Sequence, residues 1–99
     1  MRPTVGRKLW YRASKFDLQG PGAMAVSDLE PLDATVLAVW GDRMVNVLVY
    51  DVYGKPFPKL SVTLLQPGDE PVPVDDYGRP LNGYVEWMPH QVKTAGMTF

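Results

Sequence analysis

Trp40, Asp42, Arg43 and Asn46 stand together in the stretch Val39-Trp40-Gly41-Asp42-Arg43-Met44-Val45-Asn46, where two apolar runs meet across a Gly-Asp turn. A hairpin needs only the turn. An indole offers a flat stacking surface, a guanidinium pairs in two-pronged fashion with carboxylate or phosphate, and a carboxamide both donates and accepts. Side by side, these groups are the equipment of a site for a flat, polar or anionic ligand. The same residues also admit a plain reading, with Trp40 in the core, Asp42 serving the turn and Arg43 solvated.

A second group precedes it. Arg2, Arg7, Lys8, Arg12 and Lys15 all come before the first acidic residue, Asp17, so half of the 10 lysines and arginines lie in the first 15 residues. The net charge of -1 conceals this asymmetry. Arg7, Lys8, Trp10 and Arg12 interleave cations with an aromatic, which is a local version of a nucleic-acid footprint. A sequence pI near 5.7 argues against affinity for long polyanions, whereas a compact nucleotide has few phosphates and one base to satisfy. The expected ligand set is therefore Arg7, Lys8, Arg12 and Arg43 on phosphate, Trp10, Trp40 or Trp87 stacked on a base, and Asn46 at its edge, with Asp42 beside them as a further ligand-binding residue.

Catalytic chemistry is harder to assemble. His90 is the only histidine and there is no cysteine, which removes multi-histidine metal sites, thiol catalysis and disulfides. Gly20-Pro21-Gly22 lacks the spacing of a phosphate-cradling loop. Asp69, Glu70, Asp75 and Asp76 lack the alternation of a calcium loop. The expectation is a non-enzymatic binding protein with no cofactor and no metal.

The elements that must position these residues read as β almost throughout. The 99 residues make one domain, 45% hydrophobic and 21% charged, enough for a small core that self-association would support. Val5, Leu9 and Tyr11 open a first strand. Ala34 to Trp40 is a continuous apolar run, as in a strand buried on both sides, and Met44 to Tyr50 alternates. Asp51 to Lys55 forms a turn, and Leu60, Val62 and Leu64 alternate beyond it. Tyr84 to Met88 is a short fifth strand entered through Asn82-Gly83, a tight-turn signal. His90 to Ala95 permits a single helical turn. Such strands favour a small antiparallel barrel of the SH3-like kind, or a strongly curved five-stranded sheet, with two long loops at 13–31 and 66–83. No run is long and apolar enough to span a membrane, and no signal-peptide pattern opens the chain. A soluble protein of the cytoplasm follows.

The motifs Val5-Gly6-Arg7-Lys8-Leu9-Trp10-Tyr11, Trp40-Gly41-Asp42-Arg43-Met44-Val45-Asn46, Ser61-Val62-Thr63-Leu64-Leu65-Gln66 and Glu86-Trp87-Met88-Pro89-His90-Gln91 resemble a family of small uncharacterised proteins of tailed phages and prophages, over nearly the whole chain. Members usually carry Tyr in place of His90 and a shorter loop in place of 75–81. The resemblance implies a phage protein acting in the host cytoplasm and supplies no catalytic residue. Three functions are compatible with these residues: a counter-defence sponge that sequesters a nucleotide-derived immune signal in a homo-oligomer, a protein-interaction module that inhibits a host protein through the acidic loop, and a virion or assembly component.

Overall fold

The computed structural model describes residues 1–95 and contains five strands, β1 (Lys8–Arg12), β2 (Leu32–Gly41), β3 (Met44–Tyr50), β4 (Pro56–Leu65) and β5 (Tyr84–Glu86). A 3-10 turn (Lys15–Leu18) lies in the first long loop, and one helix, α1 (Pro89–Thr94), follows β5. The strands close into a barrel in the order β1-β2-β3-β4-β5, with β5 returning to β1. Neighbours pair antiparallel except β4 and β5, which run parallel through Leu64–Val85 and Leu65–Glu86. The parallel pair is a physical consequence of the long 66–83 connection: a chain that leaves β4 and travels back the length of the barrel re-enters in the same direction.

Period-two alternation fills the interior. Leu9, Tyr11, Leu32, Ala34, Val36, Val45, Val47, Val49, Val62, Leu64 and Val85 point inward, and Trp87 and Val92 are buried with them. The helix closes one end, where Gln91 donates from Nε2 to the Lys8 carbonyl at 2.9 Å and accepts from the Met88 amide at 2.7 Å. The loops 13–31, 51–55 and 75–83 gather at the other end.

Several sequence expectations change here. Val5 is exposed and outside β1, because Gly6, at φ +88°, turns the chain before the strand begins. The run Ala34 to Trp40 is buried on one face only: its register with β3 shifts between Val36 and Ala38, and Leu37 and Trp40 face outward. Val39 is only partly buried. Leu60 is 73% exposed rather than in line with Val62 and Leu64. Between Lys59 and Val62 the register with β3 slips, Ser61 takes φ +51°, and inward and outward positions exchange, as an extra residue in one strand requires.

Candidate functional site

The structure divides the sequence-predicted site residues into three groups. The first is the β2–β3 hairpin, which does bring Trp40, Asp42, Arg43 and Asn46 together. Trp40 is 63% exposed and so lies outside the core. Its indole Nε1 donates to Asn46 Oδ1 at 3.0 Å, and the same oxygen accepts the Ser61 amide at 2.8 Å. Asn46 therefore fixes both the indole and the left-handed residue of the β4 bulge, rather than presenting its carbonyl to a ligand. Arg43 is clamped to Asp69 by two bonds, Nε to Oδ2 at 3.1 Å and Nη2 to Oδ1 at 2.8 Å. The pairing holds the Asp69 carboxyl below its ordinary range, through Arg43 first and the Gln66 amide second. A phosphate at Arg43 would have to displace this carboxylate. The Asp42 side chain is exposed, and its carbonyl accepts from Gln66 Nε2.

The outer stripe of β1 is the second group. Lys8 reaches Asp33 Oδ2 at 3.1 Å and Thr35 Oγ1 at 2.8 Å, and Arg12 reaches Glu86 Oε2 at 3.0 Å and the Leu29 carbonyl at 3.0 Å. Trp10 lies between them, its ring 5.4 Å from the Arg12 guanidinium carbon. These cations are spent on neighbouring strands. The third group is Arg7 and Trp87. Trp87 is 2% exposed, with Nε1 donating to Gln66 Oε1 at 3.2 Å. It is a core residue and has no free face for a base, because the barrel end closes over it. Arg7 is exposed, 5.7 Å from the Trp87 ring centroid, and makes no salt bridge among the described residues. It separates two shallow clefts, one of about 390 Å³ lined by Lys8, His90 and Thr94 and one of about 410 Å³ lined by Arg2 and Thr4.

A buried pair of perturbed titratable groups, Asp17 and Tyr11, lies elsewhere, beneath the loop end. Asp17 accepts from Tyr11 Oη at 2.6 Å, Lys59 Nζ at 2.7 Å and the Ser14 amide at 3.0 Å. Burial raises the Asp17 pKa, but the bonds from Lys59, Tyr11 and Ser14 outweigh it and hold the carboxyl low. Burial, then Asp17, pushes the Tyr11 phenol far up. An added Cβ on Gly83 would lie 1.9 Å from the Tyr11 hydroxyl, so the cluster is sealed by the loop above it. It is a fastening of the 13–31 loop to β1 and β4, since its members satisfy one another.

At the same end the turn expected at 51–55 proves to have a twin at 75–79, which the sequence did not single out. Asp51-Val52-Tyr53-Gly54-Lys55 and Asp75-Asp76-Tyr77-Gly78-Arg79 fold identically. In each, the Asp Oδ1 accepts the amides two and four residues on, at 2.9 and 3.0 Å in both turns. The Gly amide bonds back to the Asp carbonyl, and the Gly takes φ +82°. Tyr53 and Tyr77, at the apices, are 87% and 85% exposed. Both turns rest on the segment 25–29: Val52 donates to the Ala25 carbonyl at 3.1 Å, and Arg79 Nη2 to the Asp28 carbonyl at 2.7 Å. The repeated Asp-x-Tyr-Gly-basic pentad was the available signal, because an aspartate that caps two amides followed by a glycine in the left-handed region dictates one turn.

No group of three or more histidine, aspartate or glutamate side chains is placed to hold a metal ion among the described residues, and no helix there is long and apolar enough to cross a membrane. No family model matches this chain, and neither a curated protein nor a solved structure matches it.

Proposed function

We propose that this chain is a phage-encoded, non-enzymatic protein-interaction module that engages a host protein through the loop end of its barrel. The observation that carries the reading is the pair of matched turns, each presenting a tyrosine apex on a backbone locked by its own aspartate. Tyrosine gives a large amphipathic contact with few torsions to freeze, and a turn fixed before binding reduces the ordering cost of association. Asp76, exposed within the second turn, provides an acidic contact that selects a basic partner surface. Phage origin comes from the family resemblance, and a role in disabling a host factor accords with a small chain whose polar groups are committed to structure.

The test is photo-crosslinking in host cells from an unnatural residue placed at Tyr77. A single host protein captured there, and lost when Tyr53→Ala is added, is the expected result. Adducts equally abundant from a control position at Lys93, on the opposite end, overturn the reading.

One observation favours a second reading, sequestration of a nucleotide-like anion. The two clefts beside Arg7 are lined by Arg2, Arg7, Lys8 and His90, with no carboxylate among the described lining residues. Calorimetric titration with cyclic dinucleotides and cyclic ADP-ribose isomers, comparing wild type with Arg7→Ala, tests it. Absence of heat with every nucleotide removes this reading.

A further inference from the structure

The outer face of β2, β3 and β4 is the least expected surface of this molecule. Leu37, Trp40, Met44 and Leu60 are all exposed there, with Leu48 and Pro58 next along the strands away from the hairpin tip. Register places Met44 opposite Gly41 on one side and Thr63 on the other, while Leu37, Trp40 and Leu60 fall at the register shifts of the flanking strands. Those four large side chains alone expose on the order of 450 Å², at the level where a contiguous apolar patch marks an interaction site. Ala38, Leu48, Pro58 and Thr63 extend the same face.

We infer that this face is covered by a second copy of the chain in a two-fold dimer. β4 meets β5 only at Leu64 and Leu65, and the remainder of its open edge carries Pro56 and Pro58, which blunt strand-to-strand pairing, so the apolar face is the surface that pairs. The charges at the two ends of the face choose its direction. At the hairpin tip Asp42 is exposed and in no salt bridge among the described residues, beside the self-neutralised Arg43–Asp69 pair. At the far end of β3, Lys55 is exposed and likewise in no salt bridge. A two-fold axis lying in the interface across the strands brings Asp42 of one copy over the Lys55 turn of the other, whereas an axis along the strands sets Asp42 against Asp42. The first arrangement is the complementary one. Asn46 makes the indole of Trp40 ready for it by holding Nε1, so that only the ring's apolar faces meet the partner.

Sedimentation velocity and light scattering of the full chain across the micromolar range test this. Wild type dimerises, Trp40→Ser weakens the dimer by about tenfold to a hundredfold, as loss of a central aromatic anchor does, and Thr63→Arg, at an exposed position of the same face, weakens it similarly. Circular dichroism of both variants matches wild type. Asp42→Lys and Lys55→Glu each weaken association, and the double variant recovers it. A wild type that stays monomeric throughout, or a dimer indifferent to Trp40→Ser and Thr63→Arg, overturns the inference. A double charge variant that fails to recover overturns the across-strand arrangement.

Discussion

Gly83→Ala is the substitution for which the structure makes the sharpest demand. Gly83 precedes β5 and does not take a positive φ, so alanine meets no backbone penalty there. The cost is space. The new methyl would lie 1.9 Å from the Tyr11 hydroxyl oxygen, 2.6 Å from its ring carbon and 2.9 Å from Asp17 Oδ2. Tyr11 is buried and its ring is bounded by the core, so relief requires moving either the phenol or the loop. Moving the phenol breaks its 2.6 Å bond to Asp17. Overpacking costs about 1–3 kcal/mol and loss of a charge-assisted hydrogen bond about 1.5–3 kcal/mol, so a total of about 2.5–6 kcal/mol is expected. For a domain of this size that is a fall in Tm of roughly 10–50 °C. Thermal and urea unfolding followed by circular dichroism measure it. Tyr11→Phe removes the nearest clashing atom and also the bond, so the double variant should be less destabilised than the sum of the singles by about 1 kcal/mol or more. A Gly83→Ala protein melting within about 4 °C of wild type, or a strictly additive double variant, refutes the reasoning.

Asn46→Ala leaves the Ser61 amide and the Trp40 indole without their acceptor, and should cost about 1–2 kcal/mol by urea unfolding, whereas Asn46→Asp, which keeps an acceptor oxygen, should recover most of it. Ser61→Gly should stabilise by about 0.5–1 kcal/mol and Ser61→Val destabilise, because φ +51° is a left-handed conformation that glycine takes freely; equal melting temperatures would contradict the bulge. For pH, Asp17, Asp51 and Asp69 have folded-state values below the ordinary 3.8, so their contribution is fully present above that value and is lost as pH falls through the depressed ones. Tyr11 is raised above 10.0 and Tyr84 is pushed up to about 12 by burial and by Glu86. Their contribution is present below 10.0 and is lost as pH rises beyond it. The urea midpoint should therefore be flat between these limits and fall at both ends, and a transition centred near neutrality would contradict the assignment.

The sequence by itself determined whatever depends on neighbours along the chain. Alternation in Met44 to Tyr50 named Val45, Val47 and Val49 as inward, Gly41-Asp42-Arg43 announced the hairpin, and Pro89 announced a short helix, because strand period, turn chemistry and proline are local rules. The matched pentads at 51–55 and 75–79 were equally local and carried the tyrosine turns. The hairpin was legible as a place, with Trp40, Asp42, Arg43 and Asn46 adjacent, but not as a site. What each side chain does there was settled by partners far along the chain: Asp69 for Arg43, Ser61 for Asn46, Gln66 for Trp87, Glu86 for Arg12.

Tertiary structure also decided the faces. Leu60 continues the alternation of Val62 and Leu64 on paper, and only the slipped register at Ser61 turns it outward. Gly83 reads as a turn glycine, and it is a glycine because the Tyr11 phenol occupies the space where a side chain would go. Barrel closure buried Trp87 and left Trp40 out, a distinction between two tryptophans that no local pattern contains. Burial and pairing depend on which distant atoms meet, and that is fixed only when the strands close.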